Sequence, residues 1–390
     1  MGIVRLMNLL KEKCPQSIKI VPLKNYIGQT FALDASMAMY QFLISTQQIK
    51  GGFSIADLRD TEGNLTGHLL GLYNRSIMLM ENGIRPCWVF DGKPPDAKIF
   101  VLRKRKERKE NAEREKSEAK DEGDMEAALK FANQTVKIDK KMTDDAKKLI
   151  KLLGLPVIEA PSEAEATCAI LAKNKLVDCA ATEDMDTLCF GCPVLIRDLS
   201  NKEANVTEIK LEEILKGLDI NMEKFIDLCI LCGCDYCPRI DNVGSIKAYN
   251  LIKEHETIEN VIKYADIYNK DESHKKKLTY NKEEFTYNEA RKLFKEPEVI
   301  QIKDLKIEWG KPNVEGLKEF LVKEKNFSEG RIENAMKRLS NAKSKANQSR
   351  LDNFFKPISV SQTSIKPGSK KLPEPLKTGN KKGKTTRKKK

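Results

Sequence analysis

The chain has 390 residues, 40% of them hydrophobic and 33% charged, with a net charge of +13. That length allows one large domain or two to three small ones, and no apolar run approaches the roughly 20 residues that span a bilayer. The charge is unevenly placed: twelve basic residues from Lys356 onward, against the single acid Glu374, leave only two of the thirteen net charges to the rest of the chain, so the basic balance says little about what the body binds.

The opening segment, MGIVRLMNLLKEKCPQ, has no apolar core followed by a small-residue cleavage site, so no secretory signal is expected. Leu6 stands where N-myristoylation after Gly2 wants Ser or Thr. An intracellular chain keeps its 10 Cys as reduced thiols rather than as a disulfide framework.

Three short apolar runs then end in acids. Thr30–Leu33 leads to Asp34, Cys87–Phe90 to Asp91, and Val177–Thr182 to Asp184. Between them lie helical patterns at Ser36–Thr46, Gly67–Asn82, Thr143–Leu153 and Ser162–Asn174. This alternation predicts an α/β fold, with a central twisted, mostly parallel sheet flanked by helices. Ligands of such sheets bind beyond the C-terminal strand ends, where these acids would converge.

From Lys98 to Lys141 the chain is dense in Lys, Arg and Glu. A solvated helix laced by i,i+4 pairs is one reading. The stretch Arg103-Lys104-Arg105-Lys106 is more basic than such pairing requires, which suggests a basic helix over an active site. Next comes APSEAEA, Ala160 to Ala166, where Ser162 and Glu165 have the spacing of a capping box. Glu163 and Glu165 would sit roughly 200° apart around the helix. In the first turn both can lean past the helix end, and the helix dipole favours carboxylates there. Asp184 and Asp186 share a side if their segment is extended.

With Asp235 the acids number seven: Asp34, Asp91, Glu163, Glu165, Asp184, Asp186 and Asp235. Like charges in one site raise each other's pKa, and divalent cations relieve this. Oxygen-only ligands favour Mg²⁺ or Mn²⁺ over zinc, and seven carboxylates suit two ions. Two such metals, roughly 3.5–4 Å apart, activate a water and stabilise the leaving oxygen of a phosphodiester. A competing signal is CILCGCDYC, where Cys229, Cys232, Cys234 and Cys237 have knuckle-like spacing. Zinc sites usually separate their ligand pairs by a longer loop, so these four are read as buried thiols. After Trp309 come shorter helical pieces, ending with Glu329–Lys343, and then an isolated segment from Asn347 to Phe355. Beyond Lys356 too few apolar residues remain to offset ordering entropy, so disorder is expected.

FALDASMAMYQFL, ENGIRPCWVFDGKPP, APSEAEA, ATEDMDTLCFG and LCGCDYCPRIDNVG occur in the order seen in the flap endonucleases of the structure-specific 5′-nuclease superfamily. The resemblance runs from Met1 to the tail. It implies a PIN-like fold with an N-terminal nuclease region at 1–109 and a helical arch at 98–141. An internal nuclease region at 127–258 would carry a helix–two-turn–helix at about 225–256. The C-terminal part of the core would be 259–346, followed by a sliding-clamp-binding box at 347–355 and a disordered basic tail at 356–390.

By the same resemblance, Asp34, Asp91, Glu163 and Glu165 would serve one Mg²⁺ and Asp184, Asp186 and Asp235 the other, with Mn²⁺ able to substitute. Lys98 and Arg105 resemble arch residues that contact the scissile phosphate. Tyr40 resembles an aromatic on which a base stacks, and Arg75 and Gly233 match backbone contacts; Glu163 and Asp235 also face the DNA. The segment from Ile240 to Lys247, including Gly244, resembles the hairpin that grips duplex phosphates, often with K⁺. Asn242 replaces a family glycine there, and Asn tolerates left-handed backbone. Gln47 stands where the family has Arg in a pocket for a one-nucleotide 3′ flap, alongside Thr66, Lys325 and Asn326.

Gln348, Leu351, Phe354 and Phe355 fit the clamp-binding pattern Q-x-x-L-x-x-F-F, whose three apolar anchors share one helical turn. The implied activity is Mg²⁺-dependent removal of 5′ flaps, with 5′–3′ exonuclease activity, in lagging-strand maturation and long-patch base excision repair. The implied setting is the nucleus, which the Lys381–Lys390 cluster also suits, with a monomeric core and the trimeric sliding clamp as partner. Two alternatives stand beside it: a sibling 5′ exonuclease or junction or bubble nuclease, and a catalytically silent clamp-bound scaffold.

Overall fold

Seven strands form the central sheet of the computed structural model, which describes residues 2–47, 49–50, 53–54, 58–199, 205–273 and 275–354. In chain order the strands are β1 (Ile18–Pro22), β2 (Thr30–Asp34), β3 (Ile49–Lys50), β4 (Phe53–Ser54), β5 (Arg85–Phe90), β6 (Val157–Glu159), β7 (Cys179–Ala181), β8 (Val194–Arg197) and β9 (Asn205–Lys210). The sheet order is β1-β9-β8-β7-β2-β5-β6, and β3 and β4 form a separate small ribbon. The strands β8, β7, β2, β5 and β6 run parallel, and β9 pairs antiparallel with both β8 and β1. The expected mostly parallel sheet is therefore present.

Apolar runs such as Phe31-Ala32-Leu33 are continuous because both faces of the sheet are covered. Successive side chains alternate between the faces. Phe31, Leu33, Trp88 and Phe90 join one core cluster, while Ala32, Cys87, Val89 and Ala180 join the other. In chain order the helices begin with α1 (Leu6–Lys13), α2 (Ala35–Gln47), α3 (Gly67–Glu81), α4 (Ile99–Asp121), α5 (Met125–Gln134), α6 (Lys140–Leu152) and α7 (Ala164–Lys173). They continue with α8 (Asp186–Cys189), α9 (Leu211–Leu218), α10 (Met222–Cys232), α11 (Ser245–His255), α12 (Ile258–Tyr268), α13 (Tyr287–Lys295), α14 (Val314–Leu317) and α15 (Glu329–Phe354). Helices α2, α3 and α6 feed the first cluster and α7 to α13 the second.

The charged stretch after Lys98 is a helical hairpin of α4 and α5. Asp124 caps α5 by accepting the Ala127 N–H at 2.9 Å, and Ala112 and Ala119 of α4 are buried. The i,i+4 pairs Lys106–Glu110 and Arg114–Glu118 are present at 3.8 and 3.9 Å. The last helix runs past the expected end at Lys343. Side chains from residue 343 onward, and so those of Gln348, Leu351 and Phe354, lie outside the described ones, as do Phe355 and the tail. Two units divide the chain, residues 1–347 and 348–390. Among the described residues no helix is long and apolar enough to cross a membrane.

Candidate active site

The sheet order sets β7, β2, β5 and β6 side by side, and each strand releases an acid at its C-terminal end. Asp34 is the last residue of β2, and Asp91 follows β5 directly. Beyond β6 the chain reaches Glu163 and Glu165 at the start of α7, and beyond β7 it reaches Asp184 and Asp186. Asp235 comes from the turn after α10. Asp34, Asp91, Glu163, Glu165, Asp184 and Asp235 line one cleft of 440 Å³, together with Lys98, Arg105 and Tyr40. Asp186 is only 1% exposed; it feels the charges of Asp184, Asp235 and Glu165 from below the wall.

Two local expectations need correcting. Ser162 does not cap α7. The helix begins at Ala164 with Glu163 as an extended N-cap residue that makes no side-chain cap. The free Ala164 N–H donates to Asp91 Oδ1 at 2.7 Å, so the capping oxygen comes from the neighbouring strand. The backbones zip together there: the Gly92 N–H donates to the Ser162 carbonyl at 2.6 Å, and a Cβ at Gly92 would run into the Ala160 and Pro161 carbonyls. Nor do Asp184 and Asp186 share an extended strand end. Asp184 Oδ1 accepts the Asp186 N–H at 3.0 Å, an Asx turn that opens α8.

The cluster is negative and mostly buried, with Asp91 exposed and Asp235 half-buried. Burial, with Asp91 nearby, pushes Asp34 up to about 8, although the Met37 N–H at 2.9 Å and the Thr182 hydroxyl at 3.2 Å oppose this. Burial, with Glu163 beside it, raises Glu165 far above the carboxylate range. Burial, with Asp184, does the same to Asp186, whose Oδ1 has no hydrogen-bond partner. Two cations from the start of the charged hairpin enter. Lys98 pairs with Glu163 and lies 3.4 Å from Asp235 and 3.8 Å from Glu165. Burial alone would lower Lys98, but these three acids outweigh it and hold it above the usual lysine range. Arg105 Nη2 lies 2.6 Å from Asp235 Oδ2.

Three supporting residues escaped the sequence reading. The Tyr236 hydroxyl donates to Glu163. The Thr182 hydroxyl serves both Asp34 and the Asp184 N–H. Gly2, at φ 79°, backs so closely on Asp184 and Asp186 that a Cβ would collide with their carboxylates. Adjacency signals Tyr236 and Thr182, each next to or two before a site acid; nothing local signals Gly2.

Farther out, the Tyr40 hydroxyl donates to the Val136 carbonyl at 2.8 Å. Arg75 lies over the Phe42 ring at 4.4 Å, and burial lowers it to about 10. Gly233, at φ 109°, ends α10. Gly244 is the N-cap of α11 with open space around its Cα, and Lys247 lies over the Tyr268 ring at 5.1 Å. Asn242 does adopt the left-handed conformation, at φ 60°. Thr66 and Lys325 are buried, and the Lys325 ammonium is already paired with Asp145 at 2.5 Å and Asp60 at 3.6 Å. Asn326 is left-handed at φ 59°. The Gln47 side chain lies outside the described ones. Cys229, Cys232 and Cys237 are buried and Cys234 nearly so, all as free thiols.

Among the described residues, no three acidic, His or Cys side chains close around one point tightly enough to cage an ion unaided. A ring of hard oxygens around an open cleft, with an unpartnered buried Asp186 oxygen behind it, fits instead an ion that keeps several waters and takes one or two carboxylates directly. The donor set therefore suits a hard divalent cation.

Residues 1–112 match the XPG N-terminal domain and residues 154–235 the XPG I-region. The chain is 48% identical to flap endonuclease 1 of Tetrahymena thermophila, over 98% of this chain and 99% of that protein. Its fold resembles flap endonuclease-1 of Methanococcus jannaschii, with a TM-score of 0.62 at 30% identity over 83% of this chain and 96% of the other. It also resembles the catalytic core of Rad2 in complex with DNA substrate, with a TM-score of 0.67 at 23% identity over 87% and 100% of the two chains.

Proposed function

The chain belongs to the flap endonuclease family, and from that premise we propose that it is a structure-specific, Mg²⁺-dependent nuclease that removes 5′ flaps from DNA and also acts as a 5′–3′ exonuclease. The observation that carries the reading is the cleft itself. Strand-end acids from four adjacent parallel strands face two cations, Lys98 at the N-cap of the basic helix α4 and Arg105 within it.

Asp34, Asp91, Glu163 and Glu165 would hold one Mg²⁺, and Asp184, Asp186 and Asp235 a second. When bound, the ions activate a water and stabilise the leaving oxygen. Lys98 and Arg105 are placed to turn from the acids to the scissile phosphate and stabilise its developing charge. Tyr236 and Thr182 hold Glu163 and Asp34 in orientation. Tyr40 offers a ring to the base beside the cut. Away from the cleft, the Gly244 end of α11 and Lys247 would hold duplex phosphates without reading sequence, with K⁺ at the same hairpin. Gln47, Thr66, Lys325 and Asn326 would receive a 3′ flap, and residues 348–355 the trimeric sliding clamp. The cut falls one nucleotide into the duplex and leaves a 5′-phosphate, in lagging-strand maturation and long-patch base excision repair in the nucleus.

The test is cleavage of a labelled double flap with Mg²⁺. Wild type cuts it; Asp184→Ala and Glu165→Gln bind it but cut at least about 1,000-fold more slowly. A wild type that binds the flap and never cuts it refutes the nuclease reading. A panel of flap, nick, bubble and four-way junction separates a flap nuclease from its exonuclease and junction-cutting siblings.

A further inference from the structure

Tyr40 lies on α2, half-buried on the wall of the cleft. Stacking uses only the ring face, which phenylalanine also has, so the hydroxyl needs its own explanation. It donates to the main-chain carbonyl of Val136, 96 residues along the chain. Val136 is 7% exposed and lies between α5 and α6, in the foot by which the helical hairpin returns to the body. Among the described residues, 136–138 make no other hydrogen bond.

The outgoing foot reaches the same place. Leu102 and Arg105 of α4 line the cleft with Tyr40, and so does Ile138 of the returning foot. Arg105 is close enough for its charge to act on the phenol, although burial acts more strongly and raises its pKa. Arg105 is in turn fixed to Asp235. The hydroxyl thus stands where both feet of the arch meet over the carboxylates.

We propose that the Tyr40 hydroxyl is a latch that ties the returning foot of the arch to α2 and keeps the arch closed over the cleft. This role is separate from stacking, and it rests on the nuclease reading only for what the arch encloses. The bond is neutral and partly buried, so removing it releases the foot without unfolding the sheet.

The test is hydrogen exchange by mass spectrometry on the full chain without DNA, comparing wild type with Tyr40→Phe. Exchange over residues 125–139 should quicken on the order of fivefold, with β2, β5 and β7 unchanged. On a labelled flap, KM should rise severalfold, more than kcat falls, because the ring and the acids remain. Equal exchange over 125–139 in the two proteins overturns the latch. Faster exchange spread evenly over the sheet overturns it too, since the hydroxyl would then serve general packing. A fall in kcat that matches or exceeds the rise in KM would put the hydroxyl in the chemistry and also overturn it. If neither protein cuts, the nuclease reading fails, but the exchange result still decides the latch.

Discussion

Two groups of acids in this molecule are built in opposite ways. In the helical part, Asp227 (4% exposed) receives Arg291 through both oxygens, at 2.8 and 2.9 Å, and the Ile258 N–H at 3.2 Å. The same guanidinium reaches Glu259 at 2.9 and 3.2 Å. Every Asp227 oxygen has a donor, from α12 or α13, although burial still raises its pKa. At the sheet edge, seven acids, five of them buried, have only Lys98 and Arg105 as ion-pair partners among the described residues, Asp186 keeps an orphan oxygen, and burial drives Asp34, Glu165 and Asp186 toward their neutral forms. Where a fold uses acids for its own structure, it supplies their donors. Where it leaves them short of positive charge, the deficit belongs to what the site will bind.

The largest expected effect tests the satisfied set. Arg291→Met leaves Asp227 buried and uncompensated and should cost about 3–5 kcal/mol, read as a lower urea midpoint. Cleavage per folded molecule stays at the wild-type rate, because Arg291 lies outside the cleft. A variant as stable as wild type would show that the guanidinium is dispensable and end the contrast.

The opposite sign is expected at the sheet edge. Asp34→Asn should abolish cleavage yet stabilise the chelated protein by about 1–2 kcal/mol at pH 8. The pH dependence follows from the raised pKa. Asp34 titrates near 3.8 when unfolded and near 8 when folded. Its stabilising contribution is therefore complete below about 3.8 and lost as pH rises through 8. Thermal melts in chelator should separate the Asp34→Asn variant from wild type more at pH 8.5 than at pH 6. A variant less stable than wild type at pH 8.5 would mean that the acids support the fold and are not strained by it.

The acids themselves were legible in the sequence, and the reason is local. Asp34 and Asp91 each close an apolar run, and that pattern is what a buried parallel strand with a functional C-terminal end looks like. The geometry between segments was not legible. Asp91 caps α7 across 73 residues, Tyr236 reaches Glu163 across the same separation, and Arg291 reaches Asp227 across 64. No window of local sequence contains both partners. Even at close range, the Asp184–Asp186 spacing suited a strand and an Asx turn equally, and the backbone took the turn. Lys325 reads as an available cation until Asp145 and Asp60, far away in sequence, are seen to hold it.

The smallest effect belongs to Asn242, where the resemblance implies a glycine. Its φ of 60° is glycine-like, yet its Nδ2 donates to the Lys277 carbonyl at 2.8 Å, next to the bond from the Thr279 hydroxyl to Asp241 at 2.9 Å. Like Asp227, the hairpin therefore has partners from its own surroundings. Asn242→Gly would relieve the left-handed strain but lose that exposed bond and add freedom to the unfolded chain. These contributions are each about 0.5–1 kcal/mol and oppose one another. Stability and duplex affinity should shift by less than about 1 kcal/mol. Asn242→Ala keeps the strain and still loses the bond, so it should fall by about 1–2 kcal/mol. Chemical denaturation and binding to an uncleavable flap read both variants. An alanine variant no worse than the glycine one would mean that the left-handed turn is not what Asn242 supports.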